Sequence, residues 1–307
     1  MSIYCFNKSS ILKDSDMNLM INAVNKMLPA FCAAWSLKPV TCVAAPANTK
    51  PGTDMYCAFL DTSDTPDALA YHNEFANVPY GDVFVKTVLQ YGGALLMGPN
   101  PSVTTVAQAF AHEVFEMLVN QNVNTWWQMN NGNLVAAEVC DAVQGAIVPI
   151  KVGNVTIGLS DYVLPAWSNP QAKKGPYNFL NTLHTPFQVG KGGYLIVMKQ
   201  GNTSNVYGEA VTPYVKHRAE NILKYMKANV AKHDGAKPNA PMHAGAKPNA
   251  PMHAGANPNA PMRPWMKAET KPNASINAPM NAGANFNAPV APVEPVEPVA
   301  PVAPVQP

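Results

Sequence analysis

Ten residues in the middle of this chain, Phe110-Ala111-His112-Glu113-Val114-Phe115-Glu116-Met117-Leu118-Val119, constrain its fold more than any other segment. They read H-E-x-x-E without proline or glycine, and Ala107, Phe110, Ala111, Val114, Phe115 and Leu118 make most of a helical circumference apolar. A helix of that kind is buried. Residues four apart share a helical face, so His112 and Glu116 stand side by side. Glu113, about 100° further round, borders the same space. An imidazole and two carboxylates inside a core need partners or a cation. The rest of the chain must therefore close a core around this helix and complete a polar site on it. The spacing suits a metal-holding helix in which two ligands grip the ion and the intervening Glu activates water, here with a carboxylate as the second ligand. The alternative is a solvated helical edge, since five residues of this pattern recur by accident in many chains.

A catalytic metal usually takes three protein ligands and keeps one position open. Glu138 and Asp141 are the candidates for the third ligand. They flank Val139-Cys140 in an apolar stretch and follow Glu116 at a distance that allows a loop to return onto the helix. A turn cap or a pairing with lysine would explain the same two acids.

Composition sets the frame. The last quarter of the 307 residues, from 234 onward, holds 16 of the 30 prolines. There Gly235-Ala236-Lys237-Pro238-Asn239-Ala240-Pro241-Met242-His243-Ala244 recurs unchanged at 245–254 and altered at 255–264, before Pro-Val-Glu and Pro-Val-Ala steps. Such a Pro/Ala/Asn-rich sequence cannot bury a core and is expected to be a disordered, extended arm over 233–307. As a spacer or attachment arm it would meet a protein partner. His243 and His253 are repeated side chains rather than a metal site. Residues 1–232 remain, enough for one domain. A net charge of +2, with no basic patch, excludes a nucleic-acid binder. No apolar run reaches the ~18 residues of a membrane span, and no signal peptide is visible at Met1-Ser2-Ile3-Tyr4-Cys5-Phe6. Five cysteines without a C-x-x-C pair favour a reducing compartment. The expectation is a cytoplasmic or virion-associated protein.

Helical periodicity runs over 16–35, with Asp14, Ser15 and Asp16 as caps, and again over 213–231. Strand-like runs occupy 40–44, 55–60, 83–88, 146–151, 154–159, 161–165 and 194–198. Thr105 and the residues before it cap the H-E-x-x-E helix. This order gives an α+β fold.

The same landmarks resemble a zincin-like H-E-x-x-E metallopeptidase family of uncharacterised bacterial and phage proteins. The resemblance rests on Ala68-Leu69-Ala70-Tyr71-His72, Pro79-Tyr80-Gly81-Asp82-Val83-Phe84-Val85, and the His112–Asn120 segment with Asn124-Thr125-Trp126. It continues through Glu138-Val139-Cys140-Asp141-Ala142-Val143-Gln144, Leu159-Ser160-Asp161-Tyr162-Val163-Leu164-Pro165-Ala166-Trp167 and Gly190-Lys191-Gly192-Gly193-Tyr194. It covers about residues 20–200 in order and leaves out the arm. The chain departs from the family pattern at Ala111, at Val119-Asn120, and at Asp141-Ala142-Val143-Gln144, where the family pattern D-P-V-E carries one more carboxylate.

The resemblance implies a zincin-like α+β domain with a mixed sheet and an active-site helix, acting on a peptide or protein substrate by metal-assisted hydrolysis. Its metal ligands would come from His112, Glu116, Glu138 and Asp141, with Glu113 taking a proton from water. His72 is a further catalytic candidate, as a substrate-side donor or an extra ligand; a histidine bonded to backbone is the alternative. The strand at Val83-Phe84-Val85 would be the sheet edge beside the cleft, free to pair with an extended peptide. Zn²⁺ is the first cofactor expected, and an oxygen-rich site also suits Mn²⁺ or Ca²⁺. The rival expectation is a non-catalytic structural or virion protein on the same scaffold. The eroded D-P-V-E segment and the proline-rich arm favour that rival, whereas Glu113 favours the enzyme.

Overall fold

The computed structural model describes residues 1–223, except 47–48, 50–53, 66, 99–102, 218 and 222. The proline-rich arm, the boundary expected at 232 and the far end of the helix expected over 213–231 lie outside the described residues. That helix does begin at residue 213.

The first half of the chain builds a five-stranded mixed sheet. β1 (Ser2–Asn7) leads into α1 (Asp14–Ala34), which returns as β2 (Thr41–Ala45), followed by β3 (Tyr56–Leu60), β4 (Ala70–Phe75) and β5 (Val78–Phe84). The strand order is β2-β1-β3-β5-β4, parallel throughout except that β4 runs antiparallel to β5. After α2 (Val85–Gln90) comes α3 (Val106–Val119), the H-E-x-x-E helix, with Thr105 accepting from the Gln108 amide as its N-cap. The second half adds β6 (Trp126–Gln128), β7 (Leu134–Ala136), a 3-10 turn (Asp141–Val143), the hairpin β8 (Ile147–Val152) and β9 (Val155–Ser160), α4 (Pro165–Ser168), β10 (Tyr194–Lys199) and β11 (Asn202–Tyr207). β11, β10, β7 and β6 form an antiparallel four-stranded sheet. The fold is thus mixed α+β with a mixed sheet.

Every residue of α3 from Val106 to Leu118 is buried, which its apolar circumference predicts. α3 packs on β4, β5 and β9 and touches α1. Aromatic rings fix its position: Phe110 meets Phe59 of β3 with centroids 5.0 Å apart, while Phe115 stacks on Phe31 of α1 at 4.7 Å. Tyr162 closes that triangle at 4.8 and 4.9 Å. Nearby, Trp35 stacks on Trp127 at 5.6 Å and 14°, and Trp127 meets Trp167 edge-on at 5.9 Å.

Three local expectations change. The N-cap of α1 is Lys13, without a side-chain cap; Asp14 and Asp16 lie in the first helical turn, where they complement the helix dipole. The run expected as a strand over 83–88 divides at Phe84–Val85 into the end of β5 and the start of α2. Beyond Asp161-Tyr162 only Val163 makes a β-bridge, to Asn178, and Pro165 opens a helical turn.

A candidate metal centre between the helix, an edge strand and a loop

Three elements bring the six expected residues together. α3 supplies His112, Glu113 and Glu116, β4 supplies His72, and the segment following β7 supplies Glu138 and Asp141. All six are buried.

The β4–β5 hairpin sets the position of His72. Its two-residue turn, Ala76-Asn77, has positive φ at both positions, 52° and 62°. Such primed turns match the twist of the paired strands. The resulting register places His72 opposite Gly81. A Cβ on Gly81 would lie 3.4 Å from the Glu113 Cβ and 3.1 Å from the Cys57 sulfur. The missing side chain therefore makes the room in which Glu113 meets His72.

The acidic loop is pinned at both ends. The Val163 amide donates to the Val139 carbonyl at 2.7 Å, and the Gly190 amide to the Ala142 carbonyl at 2.7 Å. Glycines let the 190–193 segment press on the 3-10 turn: a Cβ on Gly193 would sit 2.3 Å from the Ala142 carbonyl oxygen. Tyr194, next in sequence, hydrogen-bonds to the Asp141 carboxylate. From the helix side, the Cys140 amide donates to Glu116 Oε1 at 3.1 Å, and Asn120 Nδ2 donates to Glu138 Oε1 at 2.9 Å.

His112 Nε2 lies 3.1 Å from Glu116 Oε2 and 3.4 Å from Asp141 Oδ1. His72 Nδ1 lies 3.3 Å from Glu113 Oε2 and 3.7 Å from the same Glu116 oxygen. Its other nitrogen, Nε2, lies 3.3 Å from the Asn120 carbonyl oxygen and 3.7 Å from Glu138 Oε2. His72 thus makes both the backbone contact of a structural histidine and a direct contact with Glu113.

Burial alone would lower both imidazole pKa values, but the surrounding carboxylates outweigh it. Glu138, Glu113 and Glu116 push His72 up to about 9. Glu116, Asp141 and Glu113 hold His112 well above the usual histidine range. Burial raises Glu138 to about 8, with repulsion from Glu116 adding to it, and raises Asp141 to about 6 for the same two reasons. Glu116 goes the other way: burial would raise it, yet His112 and His72 keep it below the ordinary glutamate range. The cluster is therefore short of positive charge, and protons supply that charge where no metal does.

Two sets of ligand atoms lie within 4.8 Å of one another: His112, Glu116 and Cys140, and His72, Glu113 and Glu116. Nitrogen, carboxylate and thiol donors of this kind, buried together, could hold a metal ion. Cys140 was legible only as an apolar residue between two acids. Its thiol faces the His112 carbonyl at 3.8 Å, and burial raises its pKa well above the ordinary thiol value. Asn120 is the other residue that sequence reasoning missed. It holds Glu138 through its side chain and faces His72 with its carbonyl.

Beside His112 and Glu113 lies a cavity of about 10 Å³, lined also by Leu69, Ala70, Gln108 and Gln144. It has room for about one water. Gln144 is buried there, and its side-chain amide meets no hydrogen-bond partner among the described residues. Along the sheet, the edge on the site's side is β4; Val83-Phe84 belong to β5, which lies between β3 and β4. Among the described residues, no helix is long and apolar enough to cross a membrane. Comparison of the chain with protein-family models, with curated proteins and with solved structures gives no match.

Proposed function

We propose that this domain is a zincin-like, metal-dependent hydrolase acting on peptide bonds. The observation that carries the reading is the position of Glu113. It is a buried carboxylate one helical step from the His112–Glu116 pair, held by His72 and facing the same small cavity. A site built only to bind an ion through His112, Glu116 and Asp141 has no need of it. The donor set fits Zn²⁺, with His112, Glu116 and Asp141 as holders and Glu138 behind His72. A bound ion of this class lowers the pKa of water and polarises a carbonyl.

The remaining work falls to the chain. Glu113 accepts the proton that water gives up and returns it to the leaving amine. His72, 3.3 Å away, fixes the Glu113 carboxylate and shares its charge. Asn120 and Glu138 orient His72 from behind, as partners of functional histidines generally do. β4 has β5 on one side and no strand on the other among the described residues. An extended peptide could pair along that edge, beside His72.

One observation favours a second reading, a scaffold that holds a metal for stability alone. The cavity at Glu113 admits about one water and no peptide side chain. Two variants separate the readings. Metal content measured by plasma mass spectrometry should reach at least one ion per chain in the wild type and fall by one ion in His112→Ala. Glu113→Gln should keep the ion held by His112 and Glu116 and stay folded yet lose peptide hydrolysis. If Glu113→Gln instead lowers stability sharply and the wild type cleaves no peptide library, the scaffold reading stands.

A further inference from the structure

We propose that this centre holds two divalent cations, with Glu116 shared between a His112 side and a His72 side. The inference rests on the metal-binding reading above and extends it to a second ion.

The tautomer of His72 is the starting point. Its Nε2 faces the Asn120 carbonyl oxygen at 3.3 Å. A carbonyl only accepts, so a hydrogen bond at this contact needs the hydrogen on Nε2. In the neutral ring the lone pair is then on Nδ1, and it points at two further acceptors, Glu113 Oε2 at 3.3 Å and Glu116 Oε2 at 3.7 Å. Without an ion a proton on Nδ1 relieves the repulsion among these donors; once it leaves, three buried ligand atoms converge on a space that a cation can fill. The arrangement behind the ring is the one ligating histidines use: the far nitrogen is held by a backbone carbonyl, with a carboxylate, Glu138 Oε2, at 3.7 Å.

On the other side of Glu116 the pattern repeats. His112 Nε2 faces Glu116 Oε2 at 3.1 Å and Asp141 Oδ1 at 3.4 Å. Both imidazoles address the same Glu116 oxygen, while its partner Oε1 is tied to the Cys140 amide. A carboxylate oxygen with two lone pairs, placed between two nitrogen ligands, is suited to bridge two ions.

Charge gives the count. Glu113, Glu116, Glu138 and Asp141 carry four negative charges when ionised, and among the described residues their only ion-pair partners are the two histidines. With both rings neutral, one dication leaves two charges uncompensated in a buried site, and two dications balance all four. An ion on the His72 side also engages Glu113, so the second ion occupies the group that accepts the proton in hydrolysis.

The test is metal stoichiometry of the full-length chain, stripped with a chelator, reloaded with excess Zn²⁺ and freed of unbound ion. Two ions per chain are expected in the wild type. One is expected in His72→Ala and one in His112→Ala, and circular dichroism would confirm that both variants are folded. His72→Gln, which can keep a donor toward the Asn120 carbonyl, serves if the alanine variant does not fold, and it too should hold one ion. Reloading with Mn²⁺ should give an exchange-coupled pair by electron paramagnetic resonance. One ion in the wild type and one in the His72 variant would overturn the second subsite and leave the hydrolase reading standing. Two ions in both proteins, or two uncoupled Mn²⁺, would overturn the placement at His72 and Glu116. No metal in the wild type would remove both readings.

Discussion

Stripped of metal, this protein should become less stable as pH rises through neutrality, the reverse of ordinary acid lability. His72 has a folded pKa of about 9 against 6.5 unfolded. A group raised on folding binds a proton that the unfolded chain releases. Its contribution is therefore complete below 6.5 and gone above about 9. That window of about 2.5 units, at about 1.4 kcal/mol each, is about 3 kcal/mol. Glu138, raised from 4.5 to about 8, acts with the same sign between those values. His112, also raised, adds to the trend. Asp141 has completed its loss by about pH 6, and Glu116, lowered from 4.5, acts only below 4.5. Between pH 6.5 and 8 the folded state thus holds more protons than the unfolded chain, up to one of them on His72. The His72 share of the loss across that interval, about 1.5 units at about 1.4 kcal/mol each, is about 2 kcal/mol, a sizeable part of the 5–15 kcal/mol that a domain commands. Urea denaturation of the chelator-stripped protein at pH 6.5 and 8 measures it, and His72→Gln should remove about one proton's share. Stability that is flat or rising over this interval would show that the imidazoles are not held charged by the carboxylates, and the electrostatic account of the site would be wrong.

Three further outcomes follow from the packing and the site. Phe115→Ala removes a ring stacked on Phe31 and tilted against Tyr162 from a fully buried position, and should cost about 3–5 kcal/mol in chemical denaturation. Gly193→Ala drives a Cβ against the Ala142 carbonyl at 2.3 Å; it should cost about 1–3 kcal/mol and weaken metal binding by calorimetry, because the turn that carries Asp141 must shift. Hydrolysis of a peptide substrate, followed during Zn²⁺ titration of the stripped protein, should peak at one equivalent and fall toward two. A monotonic rise would mean that Glu113 stays free when the second ion binds.

Much of the helix and of the site was readable from residue order because their signals are local. The apolar circumference of Ala107–Leu118 fixed the burial of α3, and four-residue spacing fixed the meeting of His112 with Glu116. Glu138 and Asp141 were found because acids in an apolar stretch need partners, and the structure does bring them to α3. What escaped was set by contacts between distant segments or by unusual turns. β4 was not identified as a strand because its hairpin turns at Ala76-Asn77, with alanine at positive φ where glycine or asparagine would have signalled a turn. Val85 continues an apolar β-branched run, yet the chain bends there into α2. Asn120 and Cys140 look like a helix end and a core residue; their roles exist only once the acidic loop folds back onto α3.

The chain of three neighbouring indoles has a use of its own. Trp127 lies within 6 Å of both Trp35 and Trp167, close enough for the excited states of each pair to couple. The native protein should therefore show a strong, structured near-ultraviolet circular dichroism signal and quenched tryptophan emission, both lost on unfolding. Because Trp127 follows the segment that leaves α3, this optical signature would report the seating of that helix without any label.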